Sequence, residues 1–160
     1  MSSIELFGVH EDQAMIDIRG CSESDLLPCS ALLRQVYAES PYHETWSESS
    51  AAEYLEAFFR IDPRGCFVAV EQEAVIGSIF SYSYPWSTGV VLFIQELFVS
   101  EPGRRKGVGR GLVARVVDSK GRDSNVALIV REGTAAAELY RKLGLSKSRH
   151  FVLYSGKVGA

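Results

Sequence analysis

The spacing of hydrophobic and polar positions changes character several times along the chain. Ala14-Met15-Ile16-Asp17-Ile18-Arg19 alternates, which predicts a first strand. Ser22-Glu23-Ser24-Asp25 has the form of a capping box, and Leu26, Leu27, Leu32, Leu33, Val36 and Tyr37 then recur at helical spacing. Pro28 lies near the start of that helix, where a missing N–H costs least. Thr45-Trp46-Ser47-Glu48 reads as a second capping box, followed by Ala51, Tyr54, Leu55, Phe58 and Phe59 on the apolar side of another helix. From Cys66 the pattern is that of strands: 66–70, 74–80 and 90–99, with Gln72-Glu73 as one hairpin tip and 85–89 as a second break.

After a glycine-rich turn, Leu112, Val113, Val116 and Val117 mark a helix face. Val126 to Val130 is wholly apolar, as a central strand buried on both faces would be. Thr134 can cap a helix through Ala136, Leu139, Tyr140 and Leu143, and Gly144 suits its stop. His150 to Tyr154 reads as a last strand. The order β-α-α-β-β-β-α-β-α-β implies one mixed sheet with helices on both faces, and 160 residues suit a single domain spanning 1–160.

Composition narrows the partners. Hydrophobic residues make up 46% and charged residues 23%, as in an ordinary globular protein. The net charge of -3 provides no global field for nucleic acid or anionic lipid, and no apolar run is long enough to span a bilayer. The first residues carry neither a positive leader nor an apolar run. Cys21, Cys29 and Cys66 form no CxxC pair and read as reduced, buried thiols. His10, His43 and His150 are scattered, so no metal site is expected. A cytoplasmic location fits all of this.

The chemically informative segment is Arg104-Arg105-Lys106-Gly107-Val108-Gly109-Arg110, between a strand and a helix. A helix start leaves backbone N–H groups unpaired and carries partial positive charge, which suits a pyrophosphate. Glycine lets phosphate oxygens approach the backbone, and four cations within seven residues suit a multiply phosphorylated ligand. A solvated helix start with basic decoration is the plain alternative. The Walker A string G-x-x-x-x-G-K-[ST] does not occur, and the dinucleotide pattern G-x-G-x-x-G fails because Gly111 comes one residue early.

Arg104-x-x-Gly107-x-Gly109, preceded by Leu97-x-Val99 and followed by Leu139-Tyr140-Arg141-Lys142-Leu143-Gly144-Leu145, resembles the R/Q-x-x-G-x-G/A and L-Y-x-K-x-G-F segments of the GNAT superfamily of N-acetyltransferases. The element order is similar over nearly the whole chain. That resemblance implies a mostly antiparallel sheet of about six to seven strands and acetyl-CoA as co-substrate. One departure is Gly133, where the family often has Asn, which puts coenzyme contacts from that loop in doubt.

The resemblance also implies roles. Backbone groups of Leu97, Phe98 and Val99 would bind the pantetheine arm, because the family splays its strands there. Backbone amides from Arg105 to Arg110 would hold the pyrophosphate. Tyr140 is the implied acid for the leaving thiolate, although it also lies on an apolar stripe. Glu96 could accept the amine's proton, or could be a solvent-facing carboxylate or a structural acceptor. Trp46, Tyr82 and Tyr84 are candidates for binding the acceptor, within an aromatic group that also holds Tyr37, Tyr42 and Trp86; some of these will be packing. Glu39, Glu44 and Glu48 flank it and could attract a cationic amine.

A looser similarity, over Tyr37 to Trp46 and Phe93 to Val99, is to the branch labelled aminoglycoside 6'-N-acetyltransferase-like. It implies a small-molecule primary amine as acceptor. A protein lysine or N-terminus, or a non-catalytic acyl-CoA sensor, are the alternatives. A homodimer is expected by analogy only.

Overall fold

The computed structural model describes residues 15–121 and 123–159. Its contacts divide the chain into a unit ending at Leu128 and a second beginning at Ile129. The first contains β1 (Asp17–Gly20), α1 (Leu26–Ala38), α2 (Glu48–Ile61), β2 (Cys66–Glu71), β3 (Ala74–Trp86), β4 (Gly89–Val99), α3 (Glu101–Arg104), α4 (Val108–Lys120) and β5 (Asn125–Leu128). Its sheet runs β1-β2-β3-β4-β5, antiparallel except for the parallel β4–β5 pair. This is the expected class of fold, with five strands among the described residues in place of six to seven.

The β1 start expected at Ala14 and the scattered His10 lie outside the described residues, and β1 itself begins at Asp17. The Ser22–Asp25 box forms: the Ser22 N–H and Oγ–H both donate to the Asp25 carboxylate at 2.8 Å. Arg19 donates to both oxygens of the same carboxylate at 2.7 and 2.9 Å. Its guanidinium therefore holds the Asp25 carboxyl well below the usual range. At α2 the cap is Ser47, not Thr45; its Oγ accepts from the Ser50 N–H at 3.0 Å. Ser-rich starts offer several registers, and packing chooses among them.

Helices α1 and α2 bury Cys29, Leu32, Leu33, Val36, Ala51, Leu55 and Phe59 against Cys66, Val68, Phe80 and Phe98 of the sheet. The opposite face receives α4 through Val108, Leu112, Val113 and Val116. Gly77 of β3 permits that approach: a Cβ there would meet Val108 Cγ1 at 2.8 Å and Leu112 Cδ1 and Val99 Cγ2 at 3.3 Å. Cys29 and Cys66 are buried and Cys21 half-buried, all three as free thiols. Burial pushes the Cys66 thiol up to about 12, as suits an unreactive core group.

β3 is longer than expected because it continues through Tyr82, Tyr84 and Pro85 to Trp86. Pro85 is tolerated because β2 pairs β3 only as far as Phe80, leaving that edge without a ladder to break. Val126 to Val130 is not a central strand. Only Asn125–Leu128 pairs, at the sheet's edge among the described residues, and Ile129 is 61% exposed. A short apolar run carries no information about which neighbours it will have.

In the second unit, α5 (Ala135–Lys142) is capped by Thr134 Oγ1, which accepts from the Ala137 N–H at 3.2 Å. It ends with the Gly144 N–H bonded to the Arg141 carbonyl and the Leu145 N–H to that of Tyr140. The strand expected at His150–Tyr154 does not form: these residues are exposed and pair with no strand among the described residues. Apolar alternation alone cannot make a strand where the ladder is missing. No described helix is long and apolar enough to cross a membrane.

Candidate active site

The register between β3 and β4 slips once. Ile94 lies opposite Ser81 and Glu96 opposite Phe80, so Gln95 is the extra residue of a β-bulge. Side chains of directly paired residues share a face. Without the bulge, the face of Phe93 would continue through Gln95; with it, Glu96 joins Phe93, Phe98, Phe80 and Tyr82 on the face covered by α1 and α2. One inserted residue thus turns the carboxylate toward the helices.

There Glu96 meets two phenols. Tyr37 of α1 donates to Oε2 at 2.5 Å, and Tyr54 of α2 donates to Oε1 at 2.7 Å. Gln95 Nε2 donates to the Tyr54 hydroxyl at 3.0 Å. Burial raises the Glu96 pKa, against the opposing effect of the two phenol hydrogen bonds. Burial and the nearby carboxylate also push both phenols upward, so they remain protonated donors.

The same bulge marks where the parallel strands part. β5 pairs β4 only from Val91 to Ile94, while β4 runs on to Val99. The outer edge of Leu97, Phe98 and Val99 therefore has no strand partner among the described residues. Immediately beyond, Ser100 caps α3, accepting from the Gly103 N–H at 3.3 Å. Gly107 follows with φ +73°, a left-handed conformation that side chains disfavour, and begins α4. α4 has no side-chain cap, unlike α2, α3 and α5. Its first N–H groups, from Val108 through Arg110, have no partner within the helix.

The cations of this turn are largely engaged elsewhere. Arg104 donates to Glu39 at 3.0 Å and, through Nε, to the Val99 carbonyl at 2.9 Å. Arg105 pairs with Glu101 at 2.7 Å and Lys106 with Glu71 at 2.6 Å. Three of the four cations are thus paired with carboxylates, and Arg110 makes no ion pair among the described residues. Pairing relieves the mutual repulsion of adjacent charges.

The three acceptor-site candidates belong to one aromatic row. Trp46 lies 5.1 Å from Tyr54, Tyr54 5.0 Å from Phe58, Phe58 6.3 Å from Tyr82, and Tyr82 6.3 Å from Tyr84. The Trp46 indole N–H donates to Glu44 at 2.9 Å. Tyr140 is 7% exposed in α5, within the second unit. Sequence reasoning missed Tyr54 and Gln95. Tyr54 falls by its spacing on the apolar face of α2, yet a tyrosine on such a face needs a partner for its hydroxyl, and that is the available signal. No group of three or more His, Cys, Asp or Glu side chains converges as a metal site among the described residues.

A model of the acetyltransferase (GNAT) family matches residues 31–145, and the chain belongs to that family. A "possible acetyltransferase" of Clostridium difficile 630 superposes with a TM-score of 0.72 at 20% identity, covering 91% of this chain and 99% of that one. Aminoglycoside N-acetyltransferase AAC(6')-Iy, solved with CoA, gives 0.69 at 19% identity over 91% and 97% of the two chains. Arabidopsis thaliana Naa50, solved with a CoA-peptide bisubstrate analogue, gives 0.59 at 20% identity over 81% and 82%. These likenesses are of fold. No curated protein matches the sequence significantly.

Proposed function

We propose that the protein transfers acetyl from acetyl-CoA to a primary amine on a small molecule. The observation that carries this reading is the Glu96 carboxylate, turned by the bulge into a partly buried aromatic setting and made more basic by burial. The turn before α4 fits the coenzyme: Gly107 supplies the left-handed bend, and the uncapped helix start supplies backbone donors for a pyrophosphate. Of the backbone amides expected to hold it, from Arg105 to Arg110, those of Val108, Gly109 and Arg110 have no partner within the helix, whereas those of Arg105 and Lys106 are bonded to the Gly103 carbonyl. The unpaired edge of Leu97, Phe98 and Val99 would hold the pantetheine arm. When bound, acetyl-CoA supplies the activated acetyl thioester.

Glu96 takes the proton that the amine must lose as its nitrogen forms the C–N bond. The C–S bond breaks as the amide forms and the sulfur takes up a proton as CoA leaves; Tyr140 is the acid that the family resemblance implies for that step. Trp46, Tyr82 and Tyr84 flank the amine's approach, and Glu44 favours a cation. A protein N-terminal amine is the second reading, favoured by the openness of the row at Trp86, which is 56% exposed. Incubating the protein with acetyl-CoA and a panel of small amines and short peptides, while measuring free thiol and amide product, tests both. Thiol release without amide, or none with any amine, would exclude the transfer.

A further inference from the structure

Glu96 is a carboxylate on a buried sheet face, and its hydrogen-bond partners are neutral. Among the described residues no arginine, lysine or histidine pairs with it; the groups facing it are Tyr37 and Tyr54, with Glu44 adding a like charge from the loop between α1 and α2. Tyr42 packs edge-on against Tyr37 at 4.9 Å, and Phe80, opposite on β3, is uncharged. A structural carboxylate in such a place would ordinarily be neutralised by a cation. Two phenols do something different: they fix the plane of the carboxylate and leave its charge in place.

We propose that Tyr37 and Tyr54 are positioning residues that hold Glu96 for proton acceptance, with Gln95 of the bulge orienting the Tyr54 hydroxyl. This rests on Glu96 being the base. Each carboxylate oxygen has two lone-pair sites, and one phenol occupies one site on each. One site per oxygen is left for an incoming proton. The phenols keep their own protons, so the transferred proton ends on the carboxylate. Their hydrogen bonds also favour the ionised form, opposing burial, and so limit how far the carboxyl rises.

The test titrates the Glu96 carboxyl carbon by NMR in the folded protein, assigned by its loss in Glu96→Gln. In Tyr37→Phe and Tyr54→Phe the midpoint should move upward by about one pH unit, since a hydrogen bond to a charged group is worth roughly that much. Gln95→Leu provides a variant that leaves both phenols in place; it should move the midpoint in the same direction by less. Midpoints unmoved in both phenylalanine variants, with melting temperatures near wild type, would overturn the proposal.

The acid limb of kcat/KM, measured on the best acceptor of the amine panel, should follow the same shifts, with KM for acetyl-CoA unchanged. If Glu96→Gln retains that limb, Glu96 is not the base and the reading beneath fails. If Glu96→Gln removes the limb and the phenylalanine variants leave it fixed, only the positioning role fails.

Discussion

The acceptor side of the candidate site is held by bonds between residues 59 and 42 positions apart, Tyr37 and Tyr54 with Glu96. The backbone of the turn before α4 is bonded within itself, Arg104 N–H to Ser100, Lys106 N–H to Gly103 and Gly111 N–H to Gly107, at 3.1 Å each, although the Arg104 and Lys106 side chains reach Glu39 and Glu71. One side exists only once α1, α2 and the bulged β4 have packed together. The other is a local conformation set by a glycine and a sequence of turns. The difference teaches where substitutions should act: side chains matter on the acceptor side, and the backbone matters on the coenzyme side.

The largest expected effect tests the acceptor side. Glu96→Gln should lower kcat/KM by about a hundredfold to ten-thousandfold, the range of a lost general base, with acetyl-CoA affinity unchanged in a titration. A loss of coenzyme affinity instead would place Glu96 on the wrong side of the comparison. Next, Tyr140→Phe should lower turnover by about a hundredfold, again without a change in coenzyme binding. Unaltered turnover would remove the acid role and leave Tyr140 as packing.

The turn before α4 was legible in the sequence for the reason just given. Glycines, cations and the strand before them are close neighbours, and the physics of a helix start is local. Glu96 was legible as a candidate, but its environment was not. Which face it occupies depends on one inserted residue, and no alternation pattern reveals that Gln95 is the residue left over. The last strands were misjudged for a related reason. Val126–Val130 and His150–Tyr154 are apolar enough for strands, yet a strand is defined by the neighbour across its ladder. The helix starts were legible as regions, and Ser47 displaced Thr45 only by local register.

Gly107→Ala comes third. The left-handed φ of +73° should cost about 1 kcal/mol with a Cβ present. Among the described residues, and apart from its own chain neighbours, nothing lies within 4 Å of that Cβ, so the loss would come from the backbone and not from a clash. Coenzyme affinity should fall by up to about tenfold, and Gly107→Asn should recover part of it because asparagine tolerates this conformation. An alanine variant that binds normally would mean the turn does not depend on its bend. A smaller effect follows from burial on the acceptor side. The raised Glu96 pKa means the folded chain keeps that proton to a higher pH than the unfolded chain does. This contribution to stability is fully present below the ordinary glutamate range and is lost as pH rises through the raised value. Denaturant unfolding followed upward from about pH 4 should show wild type losing ground to Glu96→Gln until the raised value is passed, and a constant difference beyond it. A constant difference throughout would mean that Glu96 titrates as an exposed carboxylate.

The smallest expected effect is the sharpest test of the backbone reading of the coenzyme turn. Arg105 and Glu101 pair at 2.7 Å, but their side chains are 79% and 66% exposed. Water and salt screen such a pair, so breaking it should alter stability by well under about 1 kcal/mol. If backbone N–H groups at the start of α4 hold the pyrophosphate, Arg105→Gln should weaken coenzyme binding by no more than about threefold, and less as salt is raised. The amide donors remain where they were, and only part of the surrounding field is lost. A tenfold or greater loss on titration would mean that Arg105 leaves Glu101 to bind phosphate directly, and the turn would then depend on side chains as the Glu96 site does.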